Sequence, residues 1–461
     1  MEEKQTYRPG NLIILGIVLS IITYWLFAQA FLNIGPHVQE TYRGASAGII
    51  NLSISLTSLI TGIFMVAAGN FSDKLGKVKI TYAGIILSII GSLLIIITAS
   101  PAVLIIGRIV QGFSAAMLMP ATISIINTLF TGDKRRSALS YWSIGAFGGT
   151  GLASLFAGTV ATFINWQWIF IISIALSVLA LFLLKDLKEV RTEKAVDTGR
   201  FDYVGLLIFI VVMSGLSIYI TQGEALGWFS PISIVIIVIT IAAGIAFYVV
   251  ENRMKQPFID FSIFSNKAYI GTVIANFLMN TTVGSIALFN IYTQSELELT
   301  PFEAGLITLP YVVLILFTIR VGEKSIKKYG AKLAIVVSPI ILAVGVVLLS
   351  LTFLGDTAYI ISCLIGFALF GIGIGLFATP ALDTAVSTTP PEKVGVASAI
   401  FKMASTLGAA FGLAIIISLY TALDGPMSIG GAAMIAFGLN VIAIIVAFLC
   451  AKFVIPDRAM E

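Results

Sequence analysis

The chain alternates long apolar stretches with short polar ones from end to end. Each of fourteen apolar stretches is long enough to cross about 30 Å of hydrocarbon as a helix. They lie near residues 11–35, 45–69, 80–99, 102–127, 138–163, 167–184, 203–222, 229–250, 268–294, 303–321, 333–354, 357–380, 395–421 and 430–453. The pattern predicts an all-α polytopic membrane protein with 14 transmembrane helices.

Composition excludes a water-soluble globule. Of the 461 residues, 58% are hydrophobic and 11% are charged, whereas soluble proteins carry about 25% charged residues. The net charge of +4 is the only feature that suggests a nucleic-acid partner. The basic residues are concentrated in loops on one side of the predicted spans. This pattern is typical of the orientation of a membrane protein and does not indicate nucleic-acid binding. Two cysteines in different spans, Cys363 and Cys450, predict neither a disulfide framework nor a metal site.

The same bases orient the chain. Most lie in the loops after the even-numbered spans, while the opposite loops hold only Arg43 and several acids. By the positive-inside rule the basic loops, and with them both termini, are cytoplasmic.

An internal repeat divides the chain. Pro120, a basic break and a small-residue run at 145–151 recur in the same order as Pro380, a break at Lys393 and a run at 408–412. Two six-span halves related in this way are typical of transporters whose substrate site lies between them. The predicted domains are an N-terminal six-helix bundle (1–184), a cytoplasmic linker with two extra spans (185–267) and a C-terminal six-helix bundle (268–461).

The connection between the second and third spans, residues 69–79, is the most informative segment. Gly69 and Gly76 permit a close backbone approach, and Asp73 is its single acid. An orienting loop needs the bases alone and requires neither paired glycines nor an acid. We therefore interpret the segment as a cytoplasmic gate, made of Gly69, Asp73, Lys74, Gly76 and Lys77.

If segment 69–79 is a gate, Asp73 should have a partner elsewhere in the chain. Free N–H groups at a helix start attract an anion, so we expect a contact with the start of the thirteenth span near Gly395 or with the basic loop 134–136. The corresponding segment 322–332 keeps glycines and bases but has no aspartate. The two halves are thus unequal at this edge.

Ionisable residues inside the spans are candidates for proton coupling. Arg108 lies about two turns inside the fourth span, where a charge costs at least about 2.5–3.5 kcal/mol and needs a cavity or a partner. Asp383 and Lys402 are predicted to lie at similar depth as an ion pair, with separate solvation as the alternative. Three further candidates lie at the outer rim: His37, Glu224 and Glu303.

Aromatic and amide side chains suit varied lipophilic ligands, and cations can lie over aromatic faces. The predicted substrate cavity comprises Tyr24, Phe27, Gln29 and Asn33 in the first span, Gln111 in the fourth, Trp142 in the fifth, Asn276, Asn280, Tyr292 and Gln294 in the ninth, and Phe401 in the thirteenth.

Several of these motifs resemble those of the major facilitator superfamily. Segment 69–77 is similar to its gate motif, and Arg108-Ile-Val-Gln-Gly is similar to its fourth-span motif, in which the arginine takes part in proton coupling. Trp166-Gln-Trp-Ile-Phe resembles the signature of the fourteen-span drug/proton antiporter branch, and the nearest resemblance is to staphylococcal Nor-type multidrug and quinolone efflux pumps. The resemblance implies alternating access, a monomer in the bacterial plasma membrane, and proton-coupled export of lipophilic, cationic or zwitterionic drugs such as quinolones, dyes and quaternary ammonium compounds.

Two departures from the family pattern limit these expectations. The fifth-span run lacks the Gly-Pro pair that ends the antiporter motif, because Ala153 and Ser154 stand there. The first span has no acid at 28–33, so the group that carries the proton stays open.

No cofactor is expected. The spacing of Gly69 and Gly76 does not fit a phosphate-binding loop, so we predict a proton-driven transporter without an ATP site. A proton-coupled transporter of a specific metabolite or ion on the same fold is the alternative. A polytopic enzyme or a channel is a remote one, since an enzyme of this kind would need clustered His, Asp or Glu and the chain has one histidine.

Overall fold

The computed structural model describes residues 10–34, 38, 40–42, 47–97, 99–148, 156–157, 159–161, 163–189, 202–254, 257–259 and 261–457. In these residues the regular elements are fifteen α-helices, one π-helix (Ile144–Gly148) and two short 3-10 helices. The α-helices are α1 (Asn11–Asn33), α2 (Ala47–Leu75), α3 (Lys77–Ile97), α4 (Pro101–Leu129), α5 (Gly132–Ser143), α6 (Gln167–Leu184), α7 (Tyr203–Leu226), α8 (Pro231–Glu251), α9 (Lys267–Asn280), α10 (Val283–Glu296), α11 (Pro301–Tyr329), α12 (Ala331–Leu349), α13 (Asp356–Ser387), α14 (Val394–Leu423) and α15 (Ile429–Phe453).

Within the described ranges, eleven helical segments are long and apolar enough to cross a membrane. The prediction of an all-helical, multi-span membrane protein is therefore confirmed, while the count of fourteen spans stays a prediction.

The predicted ninth span is not one uninterrupted helix. It is divided into α9 and α10 at Thr281 and Thr282. The hydroxyl of Thr281 donates to the carbonyl of Leu278 (2.7 Å) and that of Thr282 to the carbonyl of Met279 (2.7 Å). Side chains that bond the preceding turn in this way compete with regular helix geometry.

The described residues divide into two compact units. The first comprises Met1–Thr61, Ala68–Thr198 and Pro390–Ala399, and the second comprises Gly62–Ala67, Gly199–Thr389 and Ile400–Glu461. In the first unit α4 packs on α1 and α3, and α6 also packs on both. In the second unit α13 packs on α11 and α12, while α15 packs on α9, α10 and α12.

The two extra helices, α7 and α8, pack on each other as a hairpin. Only 28% of the α7 span and 17% of the α8 span is buried, against 56% for α4 and for α13. Apolar side chains that a membrane helix leaves uncovered face lipid, so most of the hairpin surface is suited to lipid.

Two connections share one local geometry. A single glycine separates α2 from α3 and α11 from α12, at Gly76 (φ +120°) and Gly330 (φ +76°). An L side chain rarely adopts such φ values, whereas glycine does so readily. Segment 69–79, predicted to connect two spans, is thus helical except at Gly76, and the second connection has the same form.

Candidate functional site

Arg108, on α4 in the first unit, is completely buried. Its Nε donates to the carbonyl of Ser53 (2.8 Å), and its Nη1 donates to the carbonyl of Phe27 (2.6 Å) and to Oε1 of Gln111 (2.8 Å). The guanidinium also lies 4.3 Å from the centre of the Phe31 ring. Carbonyl dipoles and an aromatic face replace the water that a buried charge would lose.

The arginine joins three helices. Phe27 is on α1, Ser53 on α2, and Gln111 lies one turn along α4 from the arginine itself. Gln111 continues the network, since its Nε2 donates to Oγ of Ser92 on α3 (3.3 Å). Phe27 and Gln111, predicted to line a cavity, are therefore gathered at Arg108. Ser53 could not be predicted, because a backbone carbonyl leaves no trace in the residue type.

The start of α14 approaches the gate segment closely. A Cβ added to Gly69 would lie 2.6 Å from the carbonyl oxygen of Gly395, and one added to Gly395 would lie 2.5 Å from Oδ1 of Asp73. No side chain fits at either position without movement. The two glycines allow the end of α2 and the first turn of α14 to touch through their backbones.

Asp73 accepts hydrogen bonds from two N–H groups at the start of α14. The N–H of Gly395 donates to Oδ1 (3.2 Å) and the N–H of Val396 donates to Oδ2 (3.2 Å). These are among the N–H groups that a helix cannot satisfy internally. The contact lies at the first of the two partners that the sequence suggested.

The environment of Asp73 favours its protonated form. Residues 70–79 follow the apolar part of α2, so Asp73 lies beyond the predicted span. Burial raises the pKa of Asp73 from 3.8 to about 7, and the charge of Lys77 and the N–H groups of Val396 and Gly395 offset only part of that shift. The carboxyl group therefore exchanges a proton near neutral pH.

A second carboxylate holds the other side of the gate segment. Glu189, just after α6, accepts hydrogen bonds from the first three N–H groups of α3: Lys77 (2.7 Å to Oε1), Val78 (3.1 Å to Oε2) and Lys79 (3.2 Å to Oε2). A Cβ at Gly76 would lie 2.6 Å from this carboxylate. Two acids thus cap two helix starts, Asp73 at α14 and Glu189 at α3.

Lys77 and Lys74 complete the predicted gate residues. The ammonium of Lys77 donates to Oγ1 of Thr128 on α4 (2.6 Å), and Lys77 is largely buried, with 7% of its surface exposed. Lys74, one turn before the end of the gate, is exposed. The base nearer the core therefore helps to fix the segment against α4.

The equivalent place in the second unit is built differently. Gly322 also approaches a backbone, since a Cβ there would lie 2.8 Å from the carbonyl oxygen of Leu376. The acid of this region, Glu323, pairs with Arg320 of the same helix (2.6 Å). In both connections a glycine thus allows a close backbone approach. The acids differ, because Asp73 caps the start of another helix whereas Glu323 pairs within its own helix.

A polar cluster in the second unit fastens α9 to α14. The amide of Asn276 donates to the carbonyl of Phe401 (2.7 Å) and to Oγ of Ser405 (2.7 Å), and Asn280 donates to Oδ1 of Asn276 (3.1 Å). Gly408 of α14 allows a close approach to α9, because a Cβ at this position would collide with the carbonyl of Phe277. Three predicted cavity residues are therefore brought together.

The remaining predicted residues are placed as follows. Asp383 on α13 and Lys402 on α14 are both buried in the second unit, and their ion pair stays a prediction. Glu303 caps α11: its Oε2 accepts from the N–H of Thr300 (2.8 Å). Trp142, Tyr24 and Tyr292 are buried, while Gln294 is exposed. His37 and the side chains of Gln29, Asn33 and Glu224 lie outside the described residues.

A protein-family model covers most of the chain. A model described as Major Facilitator Superfamily matches residues 13–413 and 269–460. The chain belongs to the Major Facilitator Superfamily. It is therefore a multi-span membrane transporter and not an enzyme, and the family resemblance stated from its motifs is confirmed.

Individual superfamily members agree with this placement. Quinolone resistance protein NorB of Staphylococcus aureus strain MRSA252 is 44% identical over 455 residues, covering 99% of this chain and 98% of that protein. NorB of strain MSSA476 has the same identity and coverage.

Two solved structures share the fold. The human organic anion transporter MFSD10 (TETRAN) matches with a TM-score of 0.67 at 13% identity, over 97% of this chain and 100% of that one. A bacterial homologue of the iron transporter ferroportin, in the outward-facing state with soaked iron, matches with a TM-score of 0.64 at 14% identity, over 96% and 98%. At these identities the likeness concerns the fold alone.

Proposed function

We propose that this chain is a proton-coupled multidrug efflux transporter that exports lipophilic, cationic or zwitterionic drugs, including quinolones. The observation that carries the proposal is its 44% identity to Quinolone resistance protein NorB over 99% of the chain. Fourteen spans, cytoplasmic termini, a bacterial plasma-membrane location and function as a monomer belong to the same proposal. The proton gradient, and no nucleotide, supplies the energy.

Two features of the first unit support a proton-coupled mechanism. Arg108 is a completely buried charge held by oxygens from α1, α2 and α4, which is the setting expected of a functional intramembrane ionisable group. Asp73 carries a carboxyl group that exchanges a proton near neutral pH at a contact with a helix start. We infer that alternating access opens and closes this contact.

The test is accumulation of a fluorescent lipophilic cation and of a fluoroquinolone in inside-out membrane vesicles, with and without an imposed pH gradient. We expect both compounds to accumulate and the gradient to drive them. Accumulation that is insensitive to the gradient would remove proton coupling. Accumulation of neither compound would favour a transporter of a specific metabolite or ion on this fold.

The gate is tested in the same vesicles. Asp73→Asn should reduce transport while the amount of protein in the membrane is maintained, because one of the two acceptor oxygens at the start of α14 is lost. Lys79→Gln is the matched control, since it removes an exposed charge from the same segment and Lys79 is not one of the predicted gate residues. Unchanged transport in Asp73→Asn would reduce segment 69–79 to an orienting loop.

A further inference from the structure

The hairpin of α7 and α8 has two buried acids at one of its ends. Asp202 immediately precedes α7, and Glu251 is the last residue of α8. Only 3% of Asp202 and 2% of Glu251 is exposed. Because α7 and α8 pack on each other in opposite directions, the start of one and the end of the other lie at the same end of the hairpin, which we call the hairpin foot.

The four carboxyl oxygens of this pair fall into two classes. Oδ1 of Asp202 accepts from the N–H of Gly205 (2.7 Å), and Oε2 of Glu251 accepts from the N–H of Ile259 (2.9 Å). The other two, Oδ2 of Asp202 and Oε1 of Glu251, are buried and have no donor. A buried acceptor without a donor is costly, and such atoms are rare in native proteins.

The two oxygens that lack donors lie close together. A Cβ added to Gly205 would collide with Oε1 of Glu251 and with Oδ2 of Asp202, so both atoms border the same point. Ionised carboxylates only accept hydrogen bonds, whereas a protonated one donates. A single proton between these oxygens supplies the missing donor for both.

No cation takes the place of that proton among the described residues. Neither acid forms an ion pair there, and the charge that acts on Glu251 is that of Asp202, together with N–H groups of residues 258 and 259. Of the other titratable side chains near this end of the hairpin, Tyr203, Tyr248, Arg253 and Lys267 are exposed, and Tyr269 of α9 is buried. Lys255 and Asp260 lie outside the described residues.

Aromatic side chains close the hairpin foot against water. Phe209 of α7 contacts Phe247 of α8 and Phe258, with ring centres 5.6 Å and 5.4 Å apart. All three rings are buried. Phe247 precedes Glu251 by one helical turn, so ring and carboxyl group share a face of α8. Two like charges in such a setting cannot both be stable, which is the reason that paired carboxyl groups share a proton in other proteins.

We propose that Asp202 and Glu251 form a proton-binding site and that the bound proton holds the hairpin foot closed. With the proton present, the start of α7, the end of α8 and residues 258–259 are joined through one carboxyl pair. Loss of the proton leaves two buried negative charges that repel each other and separate these segments. The hairpin thus responds to pH on its own side of the membrane, whichever substrate the transporter carries.

Infrared difference spectroscopy on the purified full-length protein tests the shared proton. All proteins in this experiment carry Asp73→Asn, because Asp73 itself exchanges a proton near neutral pH. With no further change, the protein should show the carbonyl band of a protonated carboxylic acid at about pH 6 that is lost by about pH 9. Glu251→Gln and Asp202→Asn should each lack this band, because the amide donates to the remaining carboxylate. Glu296→Gln, which removes an exposed acid, should retain it. A titrating band that is unchanged in both variants overturns the proposal.

Hydrogen–deuterium exchange tests the closure. At about pH 9 the amides of Gly205 and Ile259 should exchange about tenfold faster in the wild type than in Glu251→Gln, and at about pH 6 the two proteins should match. Comparison at one pH removes the intrinsic pH dependence of exchange. Asp202→Asn is the second variant in case Glu251→Gln does not fold. Equal exchange in the wild type and the folded variants at both pH values overturns the proposal.

Discussion

Replacing Gly69 with alanine tests the approach of α2 to the start of α14. The new Cβ would lie 2.6 Å from the carbonyl oxygen of Gly395 and 2.9 Å from Cβ of Ala399, whereas ordinary contacts begin at 3.4 Å. The end of α2 must therefore move away by about 0.8 Å, since backbone atoms cannot rotate aside as a flexible side chain does. The same movement lengthens both hydrogen bonds that Asp73 accepts.

The cost follows from the overlap. Overpacking of this kind costs about 1–3 kcal/mol, which is about a 5- to 150-fold shift in an equilibrium between closed and open contact. Alanine also strengthens a helix by about 1 kcal/mol relative to glycine. That gain applies whether or not α2 touches α14, so it does not offset the shift.

Transport in inside-out vesicles, normalised to the protein present, is the assay, with thermal unfolding of the purified protein beside it. Gly62→Ala is the matched control, because it lies in the same helix and a Cβ there meets nothing within 4 Å. We expect Gly69→Ala to reduce transport at least about fivefold and to lower the unfolding temperature, and Gly62→Ala to do neither. Asp73→Asn should add little to Gly69→Ala, since the contact is already open. Equal behaviour of the two alanine variants would refute the reasoning.

Three further predictions concern the same unit. Glu189→Gln should lower the free energy of unfolding by roughly 1–2 kcal/mol, because it removes the charge that caps α3. Thermal unfolding measures this loss, and an equal loss in Asp186→Asn, a nearby acid, would contradict the prediction. Arg108→Lys keeps the charge but loses the planar fork of donors, so we expect proton-driven transport to fall at least about tenfold, and wild-type transport in that variant would exclude a role for the fork. Burial raises the pKa of Asp73 from 3.8 to about 7, so Asp73 binds a proton better in the closed contact than when it is exposed. The proton therefore stabilises the closed contact. This stabilisation is fully present below pH 3.8 and is lost as the pH rises towards about 7. The ratio of Gly395 amide exchange in the wild type to that in Asp73→Asn should rise as the pH rises towards about 7, and a ratio that stays constant over this range would disprove the prediction.

Local patterns explain what could be predicted from the sequence. Long apolar runs predict helices because each one satisfies its own backbone in lipid. Two glycines around one aspartate indicated both a close approach and an anion at a helix start, and the contact with Gly395 lies at one of the two suggested places.

Contacts between distant residues explain what could not be predicted. Glu189 caps a helix whose first residue precedes it by 112 positions, and an acid after an apolar span shows no sign of its partner. Asp202 and Glu251 lie at opposite ends of a hairpin in sequence, so nothing local indicates a pair. The break at Thr281 and Thr282 contains neither glycine nor proline, and threonine is common in uninterrupted membrane helices.

The single-residue connection at Gly76 has a mechanical consequence for the buried arginine. α2 and α3 meet at this residue, and each also contacts the arginine network, α2 through Ser53 and α3 through Ser92. Ser53 precedes Asp73 by twenty residues, or about 30 Å of helix. A tilt of about 5° at the arginine would move the far end by about 2.6 Å over that length, comparable to the 3.2 Å hydrogen bonds of Asp73. If α2 and α3 move as a rigid pair, we expect a tilt of this size at Arg108 to be enough to break the hydrogen bonds of Asp73.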